Sequence, residues 1–182
     1  LDKLPGINTA SDLGANEGEF SWLLAQKGIK TIATDFDPFC INNLYNKIKG
    51  SGEKNIQPLI ADLTHPSPAI GFNNEERSSL LSRLETDLSL ALALIHHLVI
   101  GKNISLEMTA TFFKRISKTL IIEFVPKTDE KVQLMLKDKK DIYASYTQDN
   151  FEKIFASYFI IEKKEAISDS GRVLYLMKRH DG

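Results

Sequence analysis

The stretch "DLSLALALI", residues 87 to 95, constrains the fold more than any other part of the chain. It is apolar on both alternating faces, so a strand drawn through it must be covered on both sides. That is the position of a central strand in a parallel sheet with helices on each face. The chain around it supplies such a sheet, because strand-like and helix-like segments alternate through the first two thirds. Thr9 to Leu13 is a short strand, and "EFSWLLAQKG" is a helix with Phe20, Leu23 and Leu24 on one face and Gly28 as its stop. "KTIATDFD" is the second strand. Pro38 then opens a helix to about Gly50, with Ile41, Leu44, Tyr45 and Ile48 at helical spacing.

"NIQPLIAD" reads as a third strand at or near an edge, since Pro58 cannot donate to a ladder. The connection "LTHPSPAIGFNNEERSSLLSRLET" is polar and proline-rich first, with a short helix expected from about Glu75. Ser105 can cap a helix through "LEMTATFFKRIS", and "KTLIIEF" is a fifth strand stopped by Pro126. After the helical stretch "NFEKIFASY", the segments "FIIEKKEAI" and "RVLYLMKR" flank "SDSG" as an antiparallel hairpin.

Size and charge bound the function. With 182 residues, 42% of them apolar, the chain suits one globular domain with a sizeable core. A formal charge of −1, with both signs spread along the chain, gives no electrostatic footprint for nucleic acid. The single cysteine, Cys40, excludes an internal disulfide and fits a reducing, cytoplasmic compartment. The longest uncharged apolar stretch, Leu88 to Gly101, is too short for a spanning helix, so no membrane is expected. The chain begins at Leu1 and reaches a glycine loop almost at once, so residues 1–182 are expected to be a single domain forming the C-terminal part of something longer.

That loop, "SDLGANEGEF", joins the first strand to the first helix. Gly14 and Gly18 do not complete the G-x-G-x-x-G of a dinucleotide site, and an anionic Glu17 at the helix mouth disfavours a pyrophosphate. A nicotinamide oxidoreductase is therefore disfavoured. A ligand with ribose and no phosphate, such as S-adenosylmethionine (SAM), fits better. Asp35 ends the second strand, where a carboxylate can accept ribose hydroxyls, and Asp62 ends the third, where it can accept from an adenine amine beside Leu63. Three acids, Asp12, Asp35 and Asp62, thus end three successive strands on the edge where open α/β sheets bind ligands. The alternative is three independent turn aspartates.

In this order and spacing, "SDLGANEGEF", "ATDFDP", "IADLTHP" and "DLSLALALIHHL" resemble the cofactor motifs of class I SAM-dependent methyltransferases. The likeness covers nearly the whole chain. More narrowly, "HPSPAIGFNNEERSSLLSRLETDLSLALALIHHL" followed by "LIIEFVPKTD" resembles a bacterial group of nodulation-protein-related methyltransferases. The resemblance implies a Rossmann-like doubly wound α/β fold, with a mostly parallel seven-stranded sheet of order 3-2-1-4-5-7-6 and an antiparallel last strand. It implies that Gly14, Ala15, Asn16 and Gly18 line the methionine moiety and that Asp12 helps hold its ammonium. It further implies that Asp35 and Phe36 serve the ribose and its surroundings, that Asp62 and Leu63 contact the adenine, and that Ala91 contacts the amino-acid end. The commonest family loop has glycine where Asn16 stands; asparagine tolerates the left-handed backbone this position needs.

His96 and His97 follow the fourth strand and Glu123 ends the fifth. His96, His97 and Glu123 are the candidate catalytic residues, and for transfer to a hydroxyl a histidine there suits the general base. The alternative is a strand exit with one ring packed and one solvated. His65, His96, His97 and Cys40 lack the spacing of a zinc site, so no metal is expected. Arg77 and Arg83, on the expected helix, can bind an anionic acceptor or pair with Glu75, Glu76 and Glu85. The Pro-Pro-aromatic signature of amino-methyltransferases is absent after the fourth strand, which leans the acceptor toward a hydroxyl on a small molecule. The rival reading is a SAM-binding or partner-binding domain without catalysis.

Overall fold

The first three strands form within a residue or two of the limits their patterns set, because each is bounded by a turn residue or a cap. In the computed structural model, which describes residues 6–137, 139–168 and 170–180, the chain runs β1 (Thr9–Leu13), α1 (Glu19–Ala25), β2 (Lys30–Asp35), α2 (Pro38–Ser51), β3 (Ile56–Ile60), α3 (Leu80–Arg83), β4 (Thr86–Ala91), α4 (Leu106–Ile116), β5 (Ser117–Phe124), α5 (Glu130–Leu136), α6 (Gln148–Ala156), β6 (Phe159–Ala166) and β7 (Val173–Arg179). The strands form one seven-stranded sheet in the order β3-β2-β1-β4-β5-β7-β6. β1 pairs parallel with β2 and β4, β2 pairs parallel with β3, and β7 pairs antiparallel with both β5 and β6. This is the expected α/β, Rossmann-like sheet. Two compact units divide after Leu90.

In the first unit, β1 and β4 are joined by more than their ladder. The Ser11 and Ser89 hydroxyls lie 2.8 Å apart in the core, and Thr86 donates to Ser11. Asp87 accepts from the amides of Asn8 and Thr9 and from the Thr9 hydroxyl, which fixes where β1 begins. These buried hydroxyls satisfy one another, so they cost the core little. β3, with Pro58, sits at the sheet edge as expected. α2 starts at Pro38 behind an Asp37 cap that accepts from the Phe39 amide, and it ends on Gly52 in left-handed backbone. Ile41, Leu44 and Ile48 of α2 pack with Ala15, Ala25, Ala33 and Ile56, with Trp22 against them, while Tyr45 stays half exposed.

Two sequence expectations change here. α1 buries Ser21, Leu24 and Ala25, whereas Phe20 and Leu23 remain 43% and 48% exposed. Both faces satisfy helical spacing; the Ser21 hydroxyl, bonded at 2.6 Å to Asp12, turns its own face inward. The helix expected from Glu75 begins only at Leu80, capped by Ser79. Asn73 and Asn74 take left-handed backbone, and the Ile70 and Arg77 amides and carbonyls pair across the resulting turn. Arg77 is therefore on a bridge and only Arg83 is helical.

In the second unit, Ser105 caps α4 as expected, accepting from the Met108 amide. The core is aromatic: Phe113, Phe151, Phe155 and Phe159 form a chain of ring contacts, and Phe124 and Tyr175 meet Phe151. Tyr175 is wholly buried; its hydroxyl donates to Glu152 and accepts from Gln148, which are the partners a buried phenol needs. α5 has no counterpart in the sequence reading. It is seven residues long, capped by Asp129, and buries only Val132, so its apolar pattern is too short to stand out. Among the described residues no helix is long and apolar enough to cross a membrane.

Candidate functional site

In the first unit the site grows from the turn between β1 and α1. The amides of Gly14 and Ala15 both donate to the Thr34 carbonyl at 2.9 Å, which folds the loop back over the end of β2. Three of its residues have positive φ: Gly14 at 74°, Asn16 at 50° and Gly18 at 80°. Asn16 thus takes the permissive conformation that the sequence demanded of it. Gly18 is required twice over, since a Cβ there would also sit 2.6 Å from Leu44 Cδ1.

Asp35 holds this loop. Its Oδ2 accepts from the Asn16 amide at 2.8 Å and its Oδ1 from the Asp37 amide at 2.9 Å. Each oxygen has a second lone pair, so the carboxylate is fixed in direction and still able to accept from a hydroxyl. Phe36, next to it, is 76% exposed, a large apolar face left in the open beside two acids. Ile60 is the β3 partner of Asp35, and the Ala61 amide donates to the Asp35 carbonyl. Asp62 follows in a tight local turn, accepting from the Thr64 amide and hydroxyl through Oδ1 and lying 3.1 Å from His65 Nδ1 through Oδ2. Leu63 beside it is partly exposed.

Asp12 is different in kind. It is buried at the end of β1, and burial pushes its carboxyl up to about 6 against the opposing effect of the Ser21 hydroxyl and backbone. Asp35 adds a smaller push in the same direction. Contrary to expectation, the Glu17 carboxylate does not guard the helix mouth: it is turned to α2, where it pairs with Lys47 at 2.5 Å and accepts from Asn43. Its charge is neutralised there, so the missing third glycine alone disfavours a pyrophosphate.

In the second unit Ala91 ends β4 fully buried, and the chain breaks out of the strand at Ala93, whose φ is 48°. "DLSLALALI" is accordingly strand only to Ala91. The cause is a clamp: Glu123 Oε2 accepts from the Ala93 amide at 2.8 Å and its Oε1 from Arg172 at 3.0 Å. Arg172 Nε in turn donates to Asp129 at 2.8 Å, and the Asp129 Oδ1 caps α5. Burial works against the ionised Asp129, yet the Arg172 bond outweighs it and holds that carboxyl below the usual range. The clamp fixes the turn that presents His96 and then a π-helix, His97–Gly101.

His96 is wholly buried, and neither ring nitrogen has a hydrogen-bond partner among the described residues. Its ring lies 4.2 Å from that of His97, which is exposed. Burial, then the neighbouring His97, lowers the His96 pKa to about 4, so it is neutral at physiological pH. The alternative of one packed and one solvated ring describes this pair. Among the described residues no group of three His, Cys, Asp or Glu side chains could hold a metal ion.

Sequence reasoning missed Ser21, Arg172 and Asp129. Ser21 carried a signal, since it lies three residues after Gly18 on the first turns of the helix that follows the loop. Arg172 carried none, because its partners are 49 and 43 residues away in the chain.

No family model matches the chain. Over 174 residues it is 36% identical to nodulation protein NoeA of Rhizobium meliloti (strain 1021), a match that covers 95% of the chain and 36% of NoeA. The chain therefore spans about a third of that curated relative's length. Among solved structures it is similar to the bifunctional kinase-methyltransferase WbdD, with TM-score 0.65, 18% identity, and coverage of 94% of this chain and 35% of that one. It is also similar to a TehB-like SAM-dependent methyltransferase from Corynebacterium glutamicum, with TM-score 0.60, 12% identity, and coverage of 98% and 84%. The 16S rRNA methylase RmtB matches with TM-score 0.61, 15% identity, and coverage of 96% and 56%. The chain has the class I SAM-dependent methyltransferase fold and resembles the nodulation protein in sequence.

Proposed function

We propose that this chain binds SAM and transfers its methyl group to an acceptor. The observation that carries the reading is the loop in which Asn16 takes left-handed backbone while its amide is held by Asp35. The residues fit the ligand's chemistry part by part. Asp35 is aimed and retains lone pairs for ribose hydroxyls; exposed Phe36 and half-buried Leu63 offer apolar contact for the adenine, with Asp62 beside them for its amine. For the methionine end, Gly14 and Asn16 are exposed on the loop, with Ala15 and Gly18 buried behind them, and buried Asp12 is an acid suited to its ammonium. Ala91 keeps the role at the amino-acid end that the resemblance implies. Bound SAM supplies an electrophilic methyl on a sulfonium, so the chain itself has to supply alignment and, for a hydroxyl acceptor, a place for the proton.

For that proton we read His97 as the base and His96 as the ring packed beneath it, since a sealed, neutral imidazole has no route to solvent. Glu123 acts as a positioning residue through the Ala93 turn. The acceptor reading is a small molecule bearing a hydroxyl. The near-neutral charge supports it over RNA, although one protein of this fold, RmtB, is an rRNA methylase. We also read the chain as one cytoplasmic, cofactor-binding domain of a longer protein, in line with the third of NoeA that it spans.

Isothermal titration with S-adenosylhomocysteine tests the cofactor. Complex formation is expected, and Asp35→Ala is expected to weaken it by tenfold or more, about 1.4 kcal/mol. No heat with the intact chain would sink the reading. Transfer of labelled methyl from SAM to ribosomal RNA, and to no hydroxylated small molecule, would overturn the acceptor assignment.

A further inference from the structure

We propose that Ser21 is a positioning residue that holds the Asp12 carboxylate in place for the ammonium group at the amino-acid end of the ligand. The inference rests on the SAM reading above and goes beyond it, because nothing in the loop pattern or the resemblance assigns this serine. Its hydroxyl lies 2.6 Å from Asp12 Oδ2, and both residues are buried, Ser21 completely. A serine facing inward from a seven-residue helix is otherwise an odd choice: leucine or alanine would fill the same face, as Leu24 and Ala25 do. What the hydroxyl adds is direction and charge support for one acid.

Asp12 needs that support. The influences on its charge are burial, which raises its pKa most, then the Ser21 hydroxyl and backbone, which lower it, then the like charge of Asp35. No cation of the described residues is among them. A buried acid on the rim of a nucleoside-type loop, held from one side by a helix and matched by no cation among the described residues, is complementary to an ammonium from a ligand. The serine donates to the ionised form, so its bond favours the state an ammonium needs. It also ties the rotation of α1 to the loop, since the face that carries Ser21 is the face that turns inward. The hydrogen bond therefore couples the placement of Gly18, which opens the helix, to the aim of the acid.

The test uses two ligands that share the nucleoside thioether and differ in whether they carry the amino-acid arm. S-adenosylhomocysteine carries the amino-acid end, whereas 5′-methylthioadenosine has the nucleoside thioether without it. Both are titrated calorimetrically into the wild-type chain, Ser21→Ala, and the near-isosteric Ser21→Cys, whose thiol is a weak donor that keeps the helix packed. Ser21→Ala is expected to weaken S-adenosylhomocysteine about tenfold at pH 7, the size expected for one hydrogen bond to a charged group. Methylthioadenosine is expected to stay within twofold, and Ser21→Cys to fall between wild type and Ser21→Ala for the first ligand only. The S-adenosylhomocysteine deficit should widen from pH 8 to pH 6, because losing the bond raises the pH at which Asp12 takes up a proton. Equal loss of both ligands would mean that Ser21 only packs α1, and an unchanged S-adenosylhomocysteine affinity would mean that it does nothing for the acid; either overturns the inference while leaving the cofactor reading standing. A wild-type chain that binds neither ligand overturns the reading and the inference together.

Discussion

Replacing Asp12 by Asn should make the unliganded protein more stable while removing its grip on the ligand's ammonium. Asp12 is buried, and its carboxyl is shifted from 3.8 to about 6 in the folded chain. An acid whose folded pKa is raised binds a proton on folding between those two values. Its contribution is therefore fully present below about pH 4 and lost as pH rises through 6. At about 1.4 kcal/mol per unit, the ionised carboxylate costs the fold about 3 kcal/mol above pH 7. Asparagine has nearly the same shape, can accept from the Ser21 hydroxyl, and carries no charge. Asp12→Asn should then gain up to about 3 kcal/mol at pH 7.5, or roughly 6 to 12 °C in melting temperature for a chain of this size. The assay is thermal or urea unfolding of both proteins at pH 7.5 and pH 4. The gain should shrink to about 0.5 kcal/mol at the lower pH, where Asp12 is protonated in the folded chain and about half protonated in the unfolded one. A variant less stable than wild type at pH 7.5, or a gain that persists undiminished at pH 4, would refute the account of Asp12 as a charge held at a cost in stability.

His96 predicts the opposite pH trend. Its folded pKa of about 4 lies below the unfolded 6.5, so its stability contribution is complete above pH 6.5 and lost, by about 3 kcal/mol, as pH falls to 4. His96→Phe should remove that acid sensitivity and be close to neutral at pH 7.5, because it also removes two unpaired buried nitrogens; urea unfolding across the window checks it. Gly18→Ala should cost about 1 to 3 kcal/mol, since the new methyl meets Leu44 and the backbone is left-handed. Ala93→Gly should instead stabilise by about 0.5 to 1 kcal/mol, as glycine holds a φ of 48° without strain. Arg172→Ala leaves the nearly buried Glu123 without its cation, so a loss of about 3 kcal/mol is expected, measured by chemical denaturation, and Glu123→Gln in the same background should recover part of it.

Most of the fold was legible because its signals are local. Pro38 behind Asp37 opens a helix, Ser105 caps another, Pro58 marks an edge, and each acts through the few residues around it. The glycine loop was legible for the same reason: the need for left-handed backbone at Asn16 and Gly18 follows from the turn itself. Where local rules allowed two answers, the chain could not choose. Phe20 and Leu23 keep helical spacing as well as Ser21 and Leu24 do, and the alternating pattern of "DLSLALALI" runs past Ala91 into a turn.

Those choices were made by contacts distant in sequence. A serine bonded to an acid nine residues earlier decides which face of α1 is inward. A glutamate thirty residues on takes the Ala93 amide, ends β4 there and sets the turn that carries the two histidines. Whether a charge is satisfied is likewise a tertiary matter: Glu17 stands at a helix mouth in the sequence, yet Lys47 of the next helix neutralises it. The sequence by itself determined the order of strands and helices and the acids at or just past the ends of the first three strands, because backbone propensity and turn chemistry act over a few residues. Only the tertiary structure decided which acid is buried, which is tied to the loop, and which histidine is sealed, because burial and pairing depend on groups that meet only once the chain has folded.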